Sequence, residues 1–81
     1  MGYYLYIIYS NKLDRYYVGY TEDLSLRLFQ HNNGVSKYTS RSDDWELKYQ
    51  EIYETRLKCL MREKEIKKKK SRKYIEWLIK K

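Results

Sequence analysis

Two segments near the N-terminus, Tyr3-Tyr4-Leu5-Tyr6 and Tyr16-Tyr17-Val18-Gly19-Tyr20, carry more phenols than a core of their size needs. The chain has 11 tyrosines against one phenylalanine, which makes the terminal hydroxyl of the ring a candidate for chemistry. A phenol holds water or donates to an anion, and a nearby cation eases its ionisation; unaided, with a pKa of about 10, it is scarcely ionised at neutral pH. Further along, Leu24, Arg27, Leu28 and His31 follow i, i+3, i+4, i+7 spacing. The leucines would anchor such a helix, leaving Arg27 and His31 one turn apart at the edge of the same face. A guanidinium fork suits phosphate oxygens, and an imidazole donates a hydrogen bond or moves a proton. The same spacing also fits an ordinary amphipathic helix with a surface Arg and His. Glu63 lies beside the apolar stripe of a later helical segment. One carboxylate can hold a magnesium ion that keeps most of its waters, or it can be a solvated charge among the neighbouring lysines.

The elements that must position these groups follow from pattern. Tyr3 to Ser10 is aromatic and β-branched and reads as a strand, Ser10 to Arg15 as a turn, and Tyr16 to Thr21 as a second strand, together an antiparallel hairpin. Gly19 inside a strand pattern marks a bulge or a close approach to the backbone. Thr21 or Asp23 can cap a helix from about Leu24 to Asn32, which Asn33-Gly34 would stop. Val35 to Asp44 reads as a polar loop. Trp45 to Tyr53 reads as a third strand, with a change of phase that places a bulge near Gln50. Glu54 to about Lys69 reads as a second helix whose apolar stripe starts at Leu57, Leu60 and Met61. Ser71 is placed to cap a third, with Tyr74, Ile75, Leu78 and Ile79 on one face. The expectation is a single α+β domain (α/β in the broad sense) over residues 1–81. It would be a small three-stranded antiparallel sheet flanked by helices, in the order β-β-α-β-α-α.

Composition narrows the function classes. The net charge is +7, from 18 Lys+Arg against 11 Asp+Glu, which suits nucleic acid or an anionic membrane surface as a partner. Lys37, Arg41 and the run Lys67 to Lys73, including Lys67, Lys70 and Arg72, could grip phosphates without sequence preference, or form a solvated helix face. Tyr38 and Trp45 are candidates to stack on bases, with Trp45 favoured as core. The longest apolar run, Leu5 to Tyr9, falls far short of the roughly 20 residues that cross a bilayer. The N-terminus lacks a basic region and cleavage site, so a cytoplasmic location is expected. The one cysteine, Cys59, reads as a small helix residue.

Tyr4-Leu5-Tyr6 followed by Tyr17-Val18-Gly19 resembles the paired tripeptides of the GIY-YIG nucleases, and Arg27, His31 and Glu63 follow in the family's order. The resemblance runs from Tyr3 to about Leu78. It is most similar to small stand-alone proteins related to the N-terminal nuclease domain of the bacterial excision-repair C subunit. It implies a metal-dependent endonuclease acting on DNA, in repair or recombination, with one Mg²⁺ (or Mn²⁺) on Glu63 at the scissile phosphate. It further implies Tyr6 as general base, Tyr17 holding water or phosphate, Arg27 neutralising the transition state, and His31 bonding the phosphate or relaying a proton. The cationic partners would ease the ionisation of the tyrosines. Many family members are fused to targeting domains, so a targeting protein is a candidate partner. Two departures stand out: Tyr4 replaces the usual first glycine, and Tyr20 replaces the lysine of repair-type relatives. The intact set of five residues favours an enzyme. Tyr4 and the small size favour the alternative, a nucleic-acid-binding module that no longer cuts. A membrane-surface protein is disfavoured, because the apolar face of the last helix is needed to cover the core.

Overall fold

The computed structural model describes residues 2–81. Strands β1 (Tyr3–Ser10) and β2 (Arg15–Thr21) are followed by helix α1 (Leu24–Asn32) and a short 3-10 turn (Thr39–Arg41). Strand β3 (Trp45–Tyr53) and helices α2 (Arg56–Lys69) and α3 (Arg72–Lys80) complete the chain. The order β-β-α-β-α-α is the one expected. Strand β2 starts one residue early, at Arg15. Helix α2 starts at Arg56 instead of Glu54, because the Thr55 side chain accepts from the Lys58 N–H at 3.2 Å and so caps it. Asp23 performs the same office for α1, accepting from the Leu26 N–H at 3.0 Å. After α1 the chain turns through Gly34 at φ +75°, a left-handed conformation that glycine takes without steric cost.

The sheet is antiparallel throughout, with strand order β2-β1-β3. Its central strand is covered on both faces, which is why Leu5, Tyr6, Ile7 and Ile8 are buried consecutively and do not alternate. Leu5 and Ile7 pack with Val18, Cys59, Ile66 and Leu78 beneath α2 and α3. Tyr6 and Ile8 pack with Trp45, Leu24 and Leu28 beneath α1. Trp45 is therefore core, as favoured from its position.

Two expectations need correction. The bulge in β3 lies at Lys48, not near Gln50: Ile7 pairs with Tyr49 and Ile8 with Leu47, so Lys48 is the extra residue. The bulge reverses the strand's facing. Trp45 joins the α1 layer, whereas Tyr49 and Tyr53 join the α2–α3 layer, and Ile52 is left exposed. Of the apolar stripe expected for α2, Leu60 is half-buried but Leu57 and Met61 are exposed; the fully buried pair is Cys59 and Ile66, seven positions apart. Glu63 lies between these two on the inward line of the helix. A bidentate pair fixes the helix on β3: Arg62 donates to both oxygens of Glu51, at 2.9 and 3.1 Å. Among the described residues no helix is long and apolar enough to cross a membrane.

Candidate functional site

The site begins with the pairing of β1 and β2, in which Tyr6 stands directly opposite Gly19. A Cβ added at Gly19 would lie 2.7 Å from the Tyr6 hydroxyl oxygen and 2.9 Å from Cζ, so the phenol lies across the glycine. Close approach, not a bulge, is the reason for this glycine, since the pairing register runs through it unbroken. Tyr17, two residues before it on the same face, places its ring 6.4 Å from that of Tyr6. Alanine at a strand position ordinarily improves on glycine by about 0.5–1 kcal/mol. Here the overlap with a buried ring is the larger effect, and Gly19→Ala is expected to destabilise by about 1–3 kcal/mol, read by urea titration. A variant as stable as the parent would mean that the ring is not pinned.

What pins Tyr6 is His31, from the last turn of α1. The Tyr6 hydroxyl lies 2.7 Å from His31 Nε2, and His31 Nδ1 lies 2.6 Å from the Thr39 hydroxyl. The Thr39 carbonyl in turn accepts from Trp45 Nε1 at 2.9 Å. Tyr6, His31, Thr39 and Trp45 are all buried, and no buried side-chain nitrogen or oxygen among the described residues lacks a partner. The chain of bonds works in either direction. With the imidazole proton on Nδ1, Tyr6 donates to Nε2 and Thr39 accepts; with the proton on Nε2, the imidazole donates to the phenol and Thr39 donates to Nδ1. Thr39 was not singled out from the sequence, where it is one hydroxyl among many in a polar loop.

Burial, and then the charge of Arg27, push the His31 imidazole down from 6.5 to about 4, so it is neutral at physiological pH. Burial also lifts the Tyr6 phenol to about 12, against the downward pull of the Arg27 guanidinium. Arg27 thus acts in the expected direction, but burial outweighs it. Between pH 6.5 and 4 the unfolded chain protonates His31 while the folded chain does not. The associated stability is full above pH 6.5 and is lost as the pH falls, by about 3 kcal/mol in all. Urea titrations at pH 7 and pH 4.5 are expected to show a larger loss for the parent than for His31→Gln, which lacks the titrating group. Equal losses would place the acid sensitivity in the carboxylates.

The remaining groups meet at the β2 edge. An open groove of about 570 Å³ is lined by Tyr6, Tyr17, Gly19, Arg27 and Glu63. Arg27 is half-buried, and its Nη1 donates to Gln30 Oε1 at 3.1 Å. The Glu63 side chain is only 12% exposed, and its Oε2 accepts from Lys67 Nζ at 2.9 Å. His31 does not line this groove: it lies wholly buried behind Tyr6 with its Nε2 on the phenol, which leaves it no direct contact with a phosphate there and keeps only the expectation of a proton relay open. A second guanidinium, missed in the sequence, does line it. Arg56 Nε donates to the Tyr20 hydroxyl at 3.2 Å, bringing a cation to the neighbourhood where Tyr20 replaces a lysine. Tyr4 lies on the α1 side, in a shallow groove with Glu22, Asp23 and Leu24, and its backbone is not left-handed, so replacing glycine there costs no backbone strain.

Of the other basic candidates, Lys67, Lys70 and Arg72 line a second, adjoining groove. Arg72 is paired there with Asp14 at 2.7 Å and Glu76 at 3.2 Å. Arg41 lines a separate groove with Lys12 and Asp43, away from Tyr6, and Lys37 is exposed on the loop. Among the described residues there is no cluster of three or more His, Cys, Asp and Glu side chains able to hold a metal. The Glu63 carboxylate, largely buried, paired with Lys67 and facing a groove of phenols, is a hard oxygen donor. It fits an ion such as Mg²⁺ that retains waters and takes its other ligands from substrate.

The model of the GIY-YIG catalytic domain matches residues 2–75. The chain is also similar to a UPF0213 protein of Staphylococcus saprophyticus, 42% identical over 65 residues that span 79% of this chain and 78% of the relative. A UPF0213 protein of Staphylococcus epidermidis is 48% identical over 52 residues, 63% of each chain, and one of Staphylococcus aureus 46% identical over 52 residues. The aligned part thus falls short of two thirds of the last two relatives' lengths. No solved structure matches. With its ordered tyrosines, its β-β-α-β-α-α fold and a family match over nearly its whole length, the chain belongs to the GIY-YIG catalytic domain family, an endonuclease-type fold.

Proposed function

We propose that the chain is a divalent-metal-dependent endonuclease that hydrolyses phosphodiester bonds of DNA, in repair or recombination, with Mg²⁺ or Mn²⁺ held by Glu63. The observation that carries this reading is convergence: β1, β2, α1 and α2 bring Tyr6, Tyr17, Arg27 and Glu63 to one groove. When bound, the ion supplies positive charge at the scissile phosphate. Arg27 and Arg56 bracket the groove as guanidinium donors for the phosphoryl oxygens, whose charge grows in the transition state. Tyr17 orders water or phosphate between them.

Tyr6 is the base in this proposal, and its high pKa shapes how it acts. A free phenolate is rare at neutral pH when the pKa is about 12. The contact of 2.7 Å to a neutral imidazole offers another course. Tyr6 accepts a proton from the attacking water while its own proton passes to His31 Nε2, so the phenol is neutral before and after. The bound phosphate's negative charge favours the imidazolium that results. Burial, and then Arg27, oppose it, so the imidazolium is a minor species at neutral pH.

The test is a cleavage assay with flapped, branched, single-stranded and duplex DNA, in Mg²⁺, in Mn²⁺ and in chelator, with Glu63→Gln protein prepared alongside. Cutting is expected only with metal and only by the parent. Cutting in chelator, or by none of the preparations, overturns the reading; the latter would favour a module that binds without cutting.

A further inference from the structure

Next to the groove of Tyr6 and Glu63 lies a second cavity of about 510 Å³, at the corner where α2 meets α3. Its floor is apolar, from Ile66 and Ile75, and its rim carries Arg15, Lys70, Lys67 and Tyr38. Tyr17 lines both cavities, and Lys67, whose Nζ lies 5.7 Å from the Tyr17 ring centre, reaches Glu63 on the other side. The wall between the two is therefore one aromatic ring and one flexible lysine, and a strand leaving the first cavity across Tyr17 enters the second.

The second cavity combines an exposed aromatic ring with several cations, and its one carboxylate, Asp14, is taken up by Arg72. Tyr38 is 48% exposed, and its ring lies 5.5 Å from the Tyr17 ring, with 32° between their planes. Neither Arg15 nor Lys70 makes an ion pair among the described residues, whereas Arg72 beside them is held by Asp14 and Glu76. Lys70 occupies the turn between the helices with φ +48°, an uncommon backbone for a lysine.

We infer that this cavity is a subsite for an unpaired nucleotide adjoining the cut, with its base on Tyr38 and its phosphate on Arg15 and Lys70. A base within a duplex already has both faces stacked and cannot present one to an aromatic ring, so the subsite selects DNA whose strand is single on that side. This rests on the nuclease reading for the position of the cut, but not for binding.

The experiment is fluorescence anisotropy in chelator, where nothing is cut, using a labelled single strand of about 12 nucleotides and a blunt duplex of the same sequence. The parent is expected to bind the single strand more tightly. Tyr38→Ala should weaken single-strand binding on the order of tenfold, leaving duplex binding unchanged, and Tyr38→Phe should restore it. Lys70→Gly, which relaxes the left-handed backbone and so preserves the fold, should reduce the slope of log affinity against log salt by about 0.7. Equal parental affinity for both DNAs, or a Tyr38→Ala variant that loses nothing on the single strand, overturns the subsite. Tyr38-dependent binding by a protein that never cuts keeps the subsite and sinks the nuclease reading; metal-dependent cutting without Tyr38-dependent binding does the reverse.

Discussion

Tyr6→Phe is expected to slow single-turnover DNA cleavage by about 10²–10⁴-fold, the usual contribution of a positioned general base. The substitution removes one oxygen and leaves the ring across Gly19, so packing and DNA affinity should change little. It also strips His31 Nε2 of a partner at 2.7 Å in a fully buried site, at a cost to stability of about 1–3 kcal/mol. The two consequences are measured separately, by rate under saturating enzyme and by urea titration. A variant that loses stability but cuts at the parental rate would show that the phenol only satisfies the imidazole and that another group activates water.

Glu63→Gln is expected to lower the rate by at least about a hundredfold, since a bound cation supplies several kcal/mol of charge stabilisation. The amide keeps the shape of the side chain and still accepts from Lys67. That ion pair is half-exposed on the lysine side and is worth at most about 1 kcal/mol, so the fold should survive. Direct Mn²⁺ binding, followed by calorimetry or by the paramagnetic signal of the ion, should disappear with the activity. Loss of activity with undiminished Mn²⁺ binding would move the metal elsewhere and leave Glu63 as a partner of Lys67 alone.

Much of this fold was legible because its local signals agree with one another. The buried centre of the sheet shows in the unbroken run from Leu5 to Tyr9, and the caps at Asp23 and Ser71 are placed where their side chains can bond, whereas the cap at Thr55 went unread. Parity was less legible. Lys48 and Gln50 are both long and polar, and nothing in their chemistry says which one leaves the ladder. In α2, hydrophobicity misled: Leu57 and Met61 are the conspicuous apolar residues, but the layer beneath accepts the smaller Cys59 together with Ile66. The candidate site was legible in its ordered residues and not in its depth. His31 looks like a surface group from spacing, and only the fold reveals that it is sealed between Tyr6 and Thr39. Thr39 and Arg56 were hidden because the groups they bond, His31 and Tyr20, come from distant elements brought alongside them.

The bulge at Lys48 has a meaning in the language of coding. A β-strand is read two residues at a time, one for each face, and β3 contains a shift of that reading frame at a single residue. Residues before it spell the α1 layer, and residues after it spell the α2–α3 layer. Most exchanges at position 48 alter one letter, whereas loss of the codon would restore the frame and transpose half the strand, moving either Trp45 or the Tyr49–Tyr53 face to the wrong side of the sheet. The residue matters less for what it is than for being counted.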